Sequence, residues 1–145
     1  MKILVQRVLS ADVSVNQKIT GQINRGLLVF LGVEKNDTTA QADYLANKLV
    51  NLRIFEDENE KMNLSVQDIS GGILLISQFT LAADMSRGNR PGFDNAETPE
   101  KAKQMYEYFI QKLAEKGIAP ETGVFQADMK VRLINDGPAT FWLER

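Results

Sequence analysis

The stretch that most constrains this chain is Asn135-Asp136-Gly137-Pro138-Ala139-Thr140, near the C-terminus. Ahead of it, Met129, Val131 and Leu133 alternate with Lys130 and Arg132, the period-2 pattern of a half-buried strand. Behind it, Phe141 and Leu143 resume the same spacing. Proline cannot donate to a strand ladder, and glycine admits backbone angles closed to other residues. A Gly-Pro pair between two strand patterns therefore predicts a turn. A plain hairpin is one reading. A ligand-facing turn is the other: X-Pro is the peptide bond that is readily cis, and a rigid turn of that kind can aim carbonyl oxygens at a bound molecule. A second polar stretch, Ser77-Gln78-Phe79-Thr80-Leu81, ends another apolar run with hydroxyl, amide and aromatic groups.

The rest of the chain supplies a frame for these two stretches. Residues 2 to 15 alternate, with Ile3, Val5, Leu9, Ala11, Val13 and Val15 on one predicted face. Arg7 falls on that apolar face; it either meets a specific partner or lies near a sheet edge and reaches water with its long side chain. Asn16-Gln17-Lys18 predicts a tight turn into a strand carrying Ile19, Gly21 and Ile23, and Asn24-Arg25-Gly26 predicts another. Leu27 to Val33 is nearly continuous apolar, as in a strand covered on both faces. Three strands with short turns predict an antiparallel meander. Asp37 or Thr38 caps a helix to about Leu52, and Arg53-Ile54-Phe55 reads as a short strand. Ile73 to Ile76 is a buried strand that delivers Ser77. Residues 82–97 form a long loop in which Arg87, Arg90 and Phe93 make the best candidate contact for phosphate. Thr98-Pro99-Glu100 starts a second helix that stops at Gly117. The expected fold is α+β: one domain over residues 1–145, mainly antiparallel sheet, barrel-like, with two principal helices.

Among 145 residues there is no histidine and no cysteine. That excludes Ser-His-Asp and Cys-His catalysis and any zinc site built from thiolate or imidazole. No metal and no cofactor is expected. Glu56-Asp57-Glu58-Asn59-Glu60 reads as a solvated loop, because it lacks the glycine and spaced Asp/Asn pattern of a calcium loop. A net charge of −2 requires any nucleic acid to be met by a local basic patch. No apolar stretch approaches the roughly 20 residues of a membrane helix. The start meets polar residues too early for a signal peptide, and without a disulfide framework the expected compartment is the cytoplasm.

Residues alone reach a strand-end polar site beside a Gly-Pro turn and stop short of a substrate. The two motifs, however, resemble the signature motifs of the D-aminoacyl-tRNA deacylases. Val5-Gln6-Arg7-Val8, Asn51-Leu52-Arg53-Ile54-Phe55, Lys61-Met62-Asn63-Leu64-Ser65 and Gly88-Asn89-Arg90-Pro91 resemble that family in order and spacing. The resemblance spans essentially the whole chain. It implies an ester hydrolase that removes a D-amino acid, or glycine, from the 3′ end of tRNA. It further implies a homodimer with its active sites at the subunit interface and a cis Gly-Pro bond. Gly137 and Pro138 of one subunit would then meet the α-amino group in the other's site and leave no room for an L side chain. Arg7 would pin that loop through backbone carbonyls. Ser77, Gln78, Phe79 and Thr80 become the catalytic candidates: the N–H groups of Phe79 and Thr80 for the oxyanion, Thr80 as positioning group or nucleophile. The alternatives are a related editing domain that removes a wrong L-amino acid, and a non-catalytic RNA- or ligand-binding module.

Overall fold

The computed structural model describes residues 1–86 and 88–145. Strand β1 (Lys2–Val15) is the hub. A two-residue turn, with Asn16 and Gln17 at φ 49° and 64°, leads into β2 (Lys18–Ile23). Positive φ at both positions matches the right-handed twist of the flanking strands. No second reversal follows. Ile23 lies opposite Ala11 and Gly26 opposite Val8, so β3 (Gly26–Gly32) continues the direction and register of β2 along the same edge of β1. The expected meander is instead one long hairpin, with a register shift at Val13/Ser14 and a break at Asn24-Arg25. Strand β8 (Met129–Glu144) runs antiparallel along the other edge of β1.

The apolar alternation of β1 does not stay on one face. Ile3 and Val5 join the large core, whereas Val8, Ala11 and Val13 join a second core on the opposite side. The register with β8 shifts twice between Gln6 and Ser10, and Leu9 is left 52% exposed. A bulge inserts one residue, and one residue reverses every side chain beyond it. Leu9 therefore does not share the face expected of it.

Helix α1 (Thr39–Val50) begins in a capping box: the Ala40 N–H donates to Thr38 Oγ1 and the Thr38 N–H to Gln41 Oε1. Its buried face is Ala42, Leu45, Ala46, Leu49 and Val50. Two short strands, β4 (Phe55–Glu56) and β5 (Met62–Leu64), form a separate ribbon. Asp57 closes it by accepting from the Asn59 and Lys61 N–H groups and the Asn63 amide, so the acidic stretch is a structured loop. Strand β6 (Gly72–Ser77) pairs parallel to β3, and β7 (Glu121–Thr122) parallel to β6, which adds parallel strands to a sheet that is otherwise antiparallel. Ile73 and Leu75 face the helix side; Leu74 and Ile76 face the second core. Each such side chain contributes about 1.5–3 kcal/mol on burial. Helix α2 (Pro99–Glu115) opens with Pro99 and Glu100, buries Tyr106, Phe109 and Leu113, and ends before Gly117 at φ +89°. At Gly21 an added Cβ would stand 2.6 Å from the Thr122 carbonyl oxygen, so β2 meets β7 and the sheet nearly closes on itself.

Candidate active site

Ser77 ends β6, and the chain then folds into a 3-10 turn over Phe79–Ala82. The core places this segment. The Gln78 N–H donates to the Leu31 carbonyl at 2.8 Å, and the Leu81 N–H to the Gln78 carbonyl at 3.2 Å. Gly32 permits the approach: a Cβ there would lie 2.9 Å from Leu81 Cβ and 3.1 Å from the Gln78 oxygen. The N–H groups of Phe79 and Thr80 head the turn without an intrachain acceptor among the described residues. Gln78 Nε2 donates to Thr80 Oγ1 at 2.5 Å, and both side chains are solvent-accessible. Ser77, Gln78 and Phe79 line a cleft of about 550 Å³, closed by Glu97 and Pro99 at the head of α2 and by the 125–129 segment. Nothing in the sequence joined Glu97, Phe125 or Gln126 to this place, because they come from two segments remote from Ser77 along the chain.

The Gly-Pro motif is not a reversal between two strands. Gln6 pairs with Thr140 and Val8 with Asn135, so residues 136–139 loop out of one continuous β8 opposite Arg7 alone. The Gly137–Pro138 peptide is cis, and both residues are exposed. Two side chains hold the base of the loop. Arg7, 4% exposed, donates from Nε to the Asp136 carbonyl at 3.0 Å and from Nη1 to the Ile54 carbonyl at 2.7 Å. Its charge meets Asp136 Oδ2 at 3.1 Å and Glu56 Oε1 at 3.8 Å. Arg7 therefore does not reach out to water at a sheet edge. Asn135 donates from Nδ2 to the Arg7 carbonyl at 3.0 Å and the Ala139 carbonyl at 3.4 Å. Its place in the motif was visible, but not this clamp. Gly137 and Pro138 do not line the cleft beside Ser77–Phe79, so a single chain leaves the two motifs apart.

The long loop is tied back on itself: Asp84 and Gly92 exchange N–H···O bonds of 2.8 and 2.9 Å. The Asp84 carboxylate accepts from the Ser86 N–H at 2.8 Å, and bonding to Ser86 holds its pKa below the ordinary value. Phe93 packs edge-on against Phe79, ring centroids 5.0 Å apart. Arg90 is exposed, and Arg87 lies outside the described residues. Among the described residues no group of three acidic side chains is placed to hold a metal, and no helix is long and apolar enough to cross a membrane.

Residues 4–144 match the family model described as D-Tyr-tRNA(Tyr) deacylase. A D-aminoacyl-tRNA deacylase of Geotalea uraniireducens (strain Rf4) is 59% identical over 99% of this chain and 93% of its own length. That of Pelobacter propionicus (strain DSM 2379 / NBRC 103807 / OttBd1) is 52% identical over the whole of both chains. A solved structure described as c-Myc DNA Unwinding Element Binding Protein superposes with TM-score 0.94 at 40% identity, covering 100% of this chain and 99% of that one. A probable eukaryotic D-amino acid tRNA deacylase, 15% identical, shares the fold at TM-score 0.83 over 99% of this chain and 98% of its own. The chain belongs to the D-aminoacyl-tRNA deacylase family, enzymes that hydrolyse D-aminoacyl-tRNA.

Proposed function

We propose that the protein is a chiral proofreader: it cleaves the ester of D-aminoacyl-tRNA, and of glycyl-tRNA on a non-cognate tRNA, and spares L-aminoacyl esters. It works as a homodimer in the cytoplasm, each active site formed where two copies meet. The ester carbonyl sits over the Phe79 and Thr80 N–H groups, which stabilise the oxyanion. The Gly137-Pro138 loop of the second copy faces the α-amino group and occupies the space an L side chain would need.

The observation that carries this reading is the clamped loop. Arg7 and Asn135 hold it at its base, its tip stands exposed, and within one chain it does not line the cleft beside Ser77. A loop so fixed and so directed suits a neighbour's site better than its own. An aminoacyl ester is already activated, so positioning and oxyanion stabilisation supply most of the rate without a histidine. Thr80 Oγ1 bonds to the amide of Gln78, which cannot take its proton, so Thr80 is a positioning group. Water attacks, assisted by the ribose 2′-hydroxyl of the substrate.

D-Tyr-tRNA, L-Tyr-tRNA and Gly-tRNA are incubated separately with the protein and ester loss is followed. The D and glycyl esters disappear and the L ester survives. Preferential loss of the L ester would reassign the protein as an editing domain for L-amino acids, and survival of all three would leave a binding module.

A further inference from the structure

We propose that the Phe79–Phe93 ring pair is a stacking platform for the base of the unpaired nucleotide next to the ester-bearing one. The proposal rests on the deacylase reading. Phe79 is 57% exposed and Phe93 39%, although each is a large apolar ring. They meet edge-on at 60°, a contact that covers one face of one ring and leaves the pair's remaining faces to be met from outside. Core demand does not explain the exposure, because neither ring belongs to either hydrophobic core. Position does. Phe79 carries one of the two N–H groups assigned to the ester and lines the cleft, so its ring lies at the cleft mouth. An RNA strand entering with its 3′-terminal nucleotide in the cleft must pass its preceding nucleotide over that mouth.

The surroundings favour a nucleotide over a protein partner. The loop that brings Phe93 also brings exposed Arg90, a cation within the same short stretch for the connecting phosphate. The loop is tied at Asp84 and Gly92 just before Phe93, which limits the ordering cost of presenting the ring. Single-stranded nucleic acid is held by aromatic faces with cations beside them, and each stacked base contributes substantially to affinity without sequence preference.

A substrate cycle tests the assignment. A D-tyrosyl ester is prepared on an acceptor-stem RNA with its penultimate base intact, and on the same RNA abasic at that position. In the native protein, loss of the base lowers kcat/KM about tenfold. In Phe93→Leu the same loss costs less than about twofold, and in Phe93→Tyr, which keeps the ring, the tenfold effect returns. A ring that only anchored the loop would leave the cost of base removal equal in all three proteins, and that result would overturn the proposal. So would a native protein indifferent to the missing base. Failure to cleave even the intact D ester would instead bring down the hydrolase reading, and this proposal with it.

Discussion

Ser77–Thr80 rests on apolar packing, whereas the Gly137-Pro138 loop hangs from polar bonds. Behind the first stand Ile73, Leu74, Leu75 and Ile76, none more than 1% exposed, with Leu31 and Gly32 directly beneath. Behind the second stand one buried guanidinium and one amide, which between them reach Asp136, Ile54, Ala139 and the backbone of Arg7. Close packing is non-directional and tolerates loss in steps, while a charged clamp fails when one partner goes. Damage to the strand-end segment should lower the rate for every substrate alike. Damage to the clamp should alter which enantiomer is accepted.

Arg7→Ala is the strongest test, and on the scale of unfolding free energy the most costly. It leaves the Ile54 carbonyl and the Asp136 carboxylate without their donor, a loss of about 3 kcal/mol for a broken buried pair. Urea unfolding reads that number. In the same preparation the ratio of D- to L-tyrosyl ester cleavage should fall, because the loop loses its fixed aim. An unchanged ratio would mean that the loop does not select the enantiomer.

Gly32→Ala attacks the other region. The new methyl group would meet Leu81 Cβ and the Gln78 oxygen, and overpacking of this kind costs about 1–3 kcal/mol. Displacing Ser77–Thr80 by a fraction of an ångström should slow both D- and glycyl-ester cleavage by up to about 10²-fold. The D-to-L ratio should stay as it is. If that ratio moved while rates held, the division of labour between the two regions would be wrong.

Asn135→Ala removes two bonds from the loop and leaves Arg7 in place, so the loss should be about 1–2 kcal/mol. The same assay should show a drop in the D-to-L ratio in the direction of Arg7→Ala but smaller. Equal effects would show that the two clamps act as one unit.

The comparison also explains what the sequence made legible. Both helices were readable because their signals are local: Asp37 or Thr38 at one start, of which the structure uses Thr38, Pro99 and Glu100 at the other, Gly117 past an end. The buried strand leading to Ser77 was readable because a run covered on both faces needs no alternation. Strand β1 misled at Leu9, since the side to which a residue points beyond a bulge depends on pairing with Asn135 and Ile134, far along the chain. For the same reason Asn24-Arg25-Gly26 and Gly137-Pro138 read as reversals. Turn-forming residues report that the ladder is broken, not that the chain turns back, and the partner strand decides between the two. The family resemblance reached the two motifs together, but the Asn135 clamp and the Glu97 and Phe125 walls of the cleft came from the fold alone.

Thr80→Ala should have the smallest effect on stability, because the side chain is exposed and bonds only to the half-buried Gln78 amide among the described residues. Unfolding free energy should move by no more than about 0.5 kcal/mol. Its value lies in the rate. A nucleophilic threonine needs a base within hydrogen-bond reach, and the chain has no histidine to supply one. If Thr80 Oγ1 only positions the ester over its own N–H and that of Phe79, the alanine variant keeps both N–H groups and should retain activity, slowed by roughly 10- to 10²-fold. Rapid quenching followed by intact-mass measurement should find no acyl adduct on the native protein during turnover of D-Tyr-tRNA. An adduct on Thr80, or an alanine variant that binds substrate and cleaves none, would make the hydroxyl the nucleophile and move the chemistry from the backbone to the side chain.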